Sequence, residues 1–346
     1  MQVTGTQQRE AWLRREFPPV EKVTSGVWSI PVPIPDSPLR YVLSYLIEHR
    51  SGFVMVDTGW DHPEGWRVLR DGLDSVGIPV TAITAILISH VHPDHHGLSR
   101  AMREESGAWI GMHEREDQFL ARHTDWDTIR SSLAVFLRWA GAPRDYLAEA
   151  AARRGAISRG PMARTDKTIG HGELIDVPGL TLRAVWTPGH SPGHLCFHDE
   201  THDLLLTGDH VLPRITPNIS SYDLESSPLD DYLQSLAALR GIQPGEVLPA
   251  HEYRFADLDS RLADLAEHHE ERLAEIEQVL GKEPAGQPAW QVAAQVTWSR
   301  PWSQMSGFPQ QAALGEVVAH LRHMERHGRA TLADADGVGL WSAAAV

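Results

Sequence analysis

The sequence predicts an α/β fold made of one large domain and a small C-terminal one. Three observations point there. Residues 53–95 alternate an apolar strand pattern, a helical pattern and a second apolar strand pattern, which is a β-α-β unit. Three further apolar runs downstream, Leu182–Trp186, Leu204–Thr207 and Val247–Pro249, are each followed closely by a turn residue and then His or Asp. Finally, 346 residues with 42% hydrophobic side chains and 28 glycines can bury a sizeable core.

Taken in order, strands are expected at Val27–Ile30, Tyr41–Ile47 and Phe53–Val56, with a Pro-rich turn from Pro31 to Pro38. A helix over Glu64–Val76 leads to the strand Ala85–Ile88, and another helix lies between Gly97 and Gly107. Trp109–Met112 is a strand. Residues 113–165 are helical at first, with Phe119, Leu120, Trp126, Leu133, Phe136, Leu137, Trp139 and Tyr146 as apolar positions, and are expected to cap a crevice. Strands resume from Glu173 and run to Asp209. A loop from Val211 to Ser227 follows, then a helix over Leu229–Leu239 and a strand that ends at His251. Leu258–Leu280 is a long amphipathic helix whose His268 and His269 are expected to face solvent or cap. Gly281–Pro288 is the break between a domain over 1–280 and one over 289–346. The latter should hold helices around Trp290–Trp298 and Pro309–Gly328, then a hairpin over Arg329–Trp341.

Composition excludes several classes. No apolar run approaches the roughly 18 residues of a membrane span, so no membrane partner is expected. The first residues, including Gln7, Gln8, Arg9 and Glu10, lack the apolar core of a signal peptide. Cys196, the single cysteine, sits in Leu195-Cys196-Phe197 and reads as a small core residue. A cytoplasmic location is therefore expected. A net charge of −15 without any long Lys/Arg run disfavours nucleic acid as a partner.

The most informative stretch is His90-Val91-His92-Pro93-Asp94-His95, directly after Ala85–Ile88. A strand ending this way delivers three imidazoles and a carboxylate to one crevice. Imidazoles are common metal ligands, and the added carboxylate favours a hard or borderline divalent cation. His190, Asp209 and His251, at the ends of the three downstream runs, are the natural further ligands, because open α/β folds place ligands outside the carboxyl ends of strands.

This set resembles the seven-ligand signature of the metallo-β-lactamase-fold hydrolases, and Val54-Met55-Val56-Asp57-Thr58-Gly59 resembles their early strand and turn. The resemblance covers about residues 25–280 and implies an αββα sandwich. It implies that His90, His92 and His190 hold one metal, Asp94, His95 and His251 a second, and that Asp209 bridges them. The expected cofactors are two divalent ions, zinc first, with iron or manganese admissible for an all-nitrogen-and-oxygen set. Asp94 and Asp209 are the expected catalytic groups, the metals' hydroxide being the nucleophile. Asp57, Thr187 and Thr207 should support ligands from behind, while Arg214, Asn218 and Tyr222 are candidate substrate contacts. His96, His194 and His210 adjoin ligands but are expected to point elsewhere. The C-terminal helices and hairpin resemble a winged helix, as in the β-lactamase-like protein 2 group. Acidic Glu316, Glu325, Asp334 and Asp336 turn that module toward packing or a homodimer rather than DNA.

The expected activity is hydrolysis of a small ester-like molecule, a thioester or lactone first. An endoribonuclease or phosphodiesterase is the alternative, and a regulatory binding module is a third reading that intact ligands disfavour.

Overall fold

The computed structural model describes residues 1–122, 126–152, 162–221 and 225–344. They form two compact units: Met1–Ala121, Ser158–Pro217 and Ser235–Leu262 in the first, and Arg122–Ile157, Asn218–Gln234 and Ala263–Val346 in the second.

The first unit is built on two sheets. Seven strands follow one another in sequence order across one sheet: Glu21–Thr24, Val27–Pro33, Tyr41–His49, Gly52–Val56, Ile83–Leu87, Trp109–Met112 and Lys167–Thr168. Pairing is antiparallel as far as Gly52–Val56 and parallel from there on. The other sheet has the order Gln2–Val3, Phe255–Ala256, Glu246–Pro249, Leu204–Gly208, Leu195–Asp199, Leu182–Trp186. Its central pair, Leu204–Gly208 with Glu246–Pro249, is parallel.

Side-chain alternation explains the stacking. In Tyr41–His49, Val42 and Leu46 join Leu69, Leu73, Leu98 and Met102 in one cluster beneath the helices Pro63–Ser75 and Ser99–Ser106. Tyr41, Leu43, Tyr45 and Ile47 point the other way, to Leu182, Leu195, Phe197, Leu206 and Leu248 of the second sheet. A strand buried on both faces reads as a continuous apolar run, and that is why these strands were legible.

The N-terminal elements were not expected. Gln2–Val3 is a strand, Thr6–Arg14 a helix and Glu21–Thr24 a strand. The helix buries only Gln8 and Ala11, so it has no apolar stripe to read. Gln8 instead donates to Ser29 Oγ at 2.9 Å and accepts from the Arg254 amide at 3.0 Å.

In the second unit, Gln287–Pro288, Val338–Ala343 and Ala330–Ala335 form a three-stranded antiparallel sheet beside the helix Phe308–Arg326. The helix expected over Trp290–Trp298 stops at Ala293. Beyond it the Ala294 and Val296 amides still reach the Trp290 and Val292 carbonyls, and the Thr297 amide donates to Glu275 Oε1 at 2.7 Å. Within the expected cap, Trp139 meets Trp341 edge-on at 6.2 Å and Tyr146 meets Trp290 at 4.6 Å. Those apolar positions therefore pack on the C-terminal segment. His269 is a correction: it is buried, its Nδ1 3.1 Å from His320 Nε2, not solvent-facing. Among the described residues no helix is long and apolar enough to cross a membrane.

Candidate metal centre

Five strands of the first unit end at one place. Gly52–Val56 leads into Asp57, Ile83–Leu87 into His90, Leu182–Trp186 into His190, Leu204–Gly208 into Asp209 and Glu246–Pro249 into His251. The turn at Asp57 adopts a left-handed φ of 59°, a conformation that short polar side chains tolerate. Gly208 has a φ of 49°, and a Cβ there would fall 2.7 Å from His194 and 2.9 Å from Ser89, so only glycine permits the strand to turn Asp209 inward.

The structure brings all seven expected ligands together. His90 Nε2 and His190 Nε2 lie 2.9 and 3.1 Å from His92 Nδ1. The ligand atoms of His90, His92, His190 and Asp209 all fall within 4.8 Å of one another, and so do those of Asp94, His95 and His251. Asp209 faces both groups. Its Oδ1 is 3.2 Å from His251 Nε2 and 3.5 Å from His95 Nε2, while its Oδ2 is 3.5 Å from His190 Nε2.

Neighbours fix which ring nitrogen faces inward. His95 Nδ1 lies 2.7 Å from Asp57 Oδ2, and His251 Nδ1 lies 2.9 Å from the Tyr41 carbonyl. Each ring donates outward and turns Nε2 toward the centre, the arrangement that orients metal-binding imidazoles. Ser89 Oγ stands 3.0 Å from His90 Nδ1 and donates to Asp57 Oδ2 at 2.8 Å. The His251 turn is pinned by Tyr41 Oη donating to the Glu252 carbonyl and Tyr45 Oη to the Pro249 carbonyl, each at 2.8 Å.

Electrostatics divide the site in two. Burial, then the crowding of other imidazoles, holds His90 well below its ordinary pKa and His92 down at about 3. At His95 and His251 burial is overcome by the carboxylates, Asp209 foremost. His95 is pushed well up and His251 to about 10. Against burial, His95 and His251 hold Asp94 at about 2, and His251 and His95 hold Asp209 well below the carboxylate range. Two ionised carboxylates thus draw positive charge to the second group. His95 Nε2, Asp209 Oδ1 and His251 Nε2 are buried and make no hydrogen bond. Inward-facing orphaned donors of nitrogen and oxygen fit divalent cations.

The family model described as the metallo-beta-lactamase superfamily matches residues 37–251. The chain belongs to the metallo-β-lactamase superfamily. A Bacillus subtilis relative named "Probable metallo-hydrolase YqjP" is 25% identical over 279 residues, which are 79% of this chain and 85% of that protein. A "Lactamase-like protein nscB" of Neosartorya fischeri is 38% identical over 118 residues, 34% of each. Among solved structures, a metallo-β-lactamase family protein of Thermus thermophilus superposes with a TM-score of 0.76 at 26% identity, covering 93% of this chain and all of that one. A β-lactamase domain protein of Burkholderia ambifaria gives a TM-score of 0.73 at 26% identity, covering 94% and 95%. As a member of this superfamily of metal-dependent hydrolases, the chain is an enzyme.

Several expected residues have partners outside the seven. Thr187 Oγ1 contacts His194 Nδ1 at 2.9 Å, and Thr207 Oγ1 donates to the Val211 carbonyl, so neither touches one of the seven directly. Arg214 pairs with Glu252 at 2.7 Å. Asn218 lies in the second unit, where its amide donates to the Ala312 carbonyl at 3.5 Å. Tyr222 is outside the described residues. His96 turns to the Ala163 carbonyl at 3.0 Å. His194 has a role that the sequence did not suggest: its Nε2 accepts from the Asp209 amide at 3.2 Å, connecting Thr187 to Asp209.

Glu116 was also missed. This fully buried carboxylate accepts from the Val91 amide at 2.9 Å and the Gly193 amide at 2.6 Å, joining the His90–His92 loop to the His190 loop. A Cβ on Gly193 would lie 2.8 Å from the Glu116 amide, so the approach requires glycine. Burial pushes the Glu116 carboxyl up while the Val91 amide and others pull it down, and burial prevails.

Proposed function

We propose that this protein is a binuclear metallo-hydrolase acting on a small ester-like substrate, a thioester or lactone first. The observation that carries the reading is the split of Asp209, one oxygen toward each ligand group. In this reading His90, His92 and His190 hold one divalent cation and Asp94, His95 and His251 the other, with zinc the first candidate for a set of this chemistry. When bound, such ions make a water nucleophilic near neutral pH and polarise the carbonyl under attack.

The chain's own residues would do the rest. Asp209 balances charge between the two groups and sets their separation. Asp57 and the Tyr41 carbonyl keep His95 and His251 in the tautomer that presents Nε2. Asp94, the more solvent-reaching of the two carboxylates at 13% exposure, would orient the attacking water through a hydrogen bond. The net charge of −15 supports a small molecule over RNA.

The C-terminal sheet and helix suit a winged-helix-like module of the β-lactamase-like protein 2 kind, used for packing or homodimerisation. A cytoplasmic setting fits the single buried cysteine.

The test is a metal-analysed preparation assayed against thioesters, lactones, β-lactams, phosphodiesters and RNA. Two metals at the centre and turnover of thioester or lactone are expected. Turnover confined to RNA or phosphodiesters, or full activity with one ion there, would overturn the proposal.

A further inference from the structure

A third ligand group lies in the second unit, built from residues the hydrolytic centre does not use. His323 and His327 stand one turn apart at the end of the helix Phe308–Arg326, their rings 4.3 Å apart. Residues four apart on a helix share a face. Asp230, in the first turn of the helix Pro228–Leu239, faces them both. Its Oδ1 is 2.8 Å from His323 Nδ1 and 2.8 Å from His327 Nε2. The other oxygen takes the Ser227 hydroxyl and lies 3.6 Å from Arg326 Nε, so Oδ1 is left to the two imidazoles.

We infer that Asp230, His323 and His327 form a separate site for a borderline divalent cation such as Zn²⁺. The donor set is right: two imidazole nitrogens and one carboxylate oxygen suit zinc, and a fourth position stays open to water. The spacing is right as well. The three ligand atoms lie within 4.8 Å of one another, with Asp230 Oδ1 2.8 Å from each ring nitrogen, close enough for one ion to reach all three. Burial is graded as an accessible site needs, with Asp230 and His323 at 12% and 11% side-chain exposure and His327 at 56%. Burial lowers the His323 pKa although Asp230 opposes it, leaving a neutral ring with a lone pair to give. Asp230 stays ionised despite its burial, helped by Ser227, His327 and His323.

The cation would take the place of the two imidazole hydrogen bonds to Oδ1, each ring moving its proton to the other nitrogen. Its effect would be structural. Nearby, the Ser221 amide donates to the Gly315 carbonyl and Ser220 Oγ to the Ala312 carbonyl, so the segment 220–221 already lies along the same helix. A metal at Asp230 would fasten that segment to the helix.

The experiment counts zinc ions per chain by native mass spectrometry on the full-length protein, stripped with chelator and reloaded. His327→Ala changes a mostly exposed side chain, and Asp230→Asn keeps the shape of the other ligand. Each variant should hold one zinc fewer than the parent, whatever number the hydrolytic centre holds. The rise in melting temperature on adding zinc should shrink with it. Equal counts and equal melting shifts in parent and variants would overturn the inference.

Discussion

Glu116→Gln is the sharpest probe of how the centre is assembled. The carboxylate accepts one backbone N–H through each oxygen, 2.9 Å from Val91 and 2.6 Å from Gly193, in a site shut off from water. Glutamine fits the same volume but offers one acceptor and one NH₂. An N–H must then face an N–H. A hydrogen bond to a charged group is worth about 1.5–3 kcal/mol, and a stranded buried amide costs about 1–3 kcal/mol. Those figures overlap, and a net loss of ~2–4 kcal/mol is expected. The two loops held by Glu116 carry His90, His92 and His190, so their slackening should also weaken metal binding by about 10–100-fold, as for groups that orient ligands. Denaturant unfolding of the metal-free protein gives the first quantity, and chelator competition well below the melting temperature gives the second. Metal affinity within about twofold of the parent would refute this, showing that Glu116 braces the fold without positioning the ligands.

Asp209→Ala should abolish turnover while leaving the far-ultraviolet circular dichroism intact; activity within about tenfold, roughly 1.4 kcal/mol of barrier, would show that Asp209 does not bridge. Asp57→Asn keeps the left-handed turn but loses the charge behind His95, so metal affinity should fall about 10–100-fold in chelator competition, with little change in unfolding midpoint. Glu316 in the second unit is pushed up to about 7 by burial, against the pull of Arg272. A carboxyl raised above its unfolded value stabilises fully below pH 4.5 and loses that contribution as pH rises through about 7. Stability should therefore decline across that window, and Glu316→Gln should flatten the decline in denaturant titrations at several pH values. An unchanged slope would remove Glu316 from the account.

The sequence was clearest where physics leaves a periodic or clustered trace. Strands buried on both faces, such as Tyr41–His49 and Ile83–Leu87, show as continuous apolar runs, and the candidate ligands follow such runs within a few residues. What stayed hidden is held by single polar contacts between distant segments. The Thr6–Arg14 helix is anchored by Gln8, an ordinary surface residue by type. Glu116 sits in a helix with Glu114 and Asp117, and nothing marks it as the buried one. His194 looked like a neighbour of ligands, and only the fold shows it accepting from the Asp209 amide. His323 and His327 did leave a signal, two histidines four apart on an expected helix. Their partner Asp230 lies 93 residues from His323.

The same contrast says where the folding energy comes from. Donor atoms at the centre that are buried without a hydrogen bond cost stability, because an unsatisfied buried polar group is expensive. The sandwich core must carry that cost in the metal-free chain, with side chains such as Tyr45, Leu46, Phe197 and Phe255 that are almost entirely removed from water. Each contributes about 1.5–3 kcal/mol at full burial. Metal binding would offset this, since ions that bind only the assembled ligands add their binding energy to folding. Glu116, Asp57, Ser89 and the Tyr41 carbonyl shape this exchange. They hold the donors in place before any ion arrives, so little of the binding energy is spent on ordering the loops.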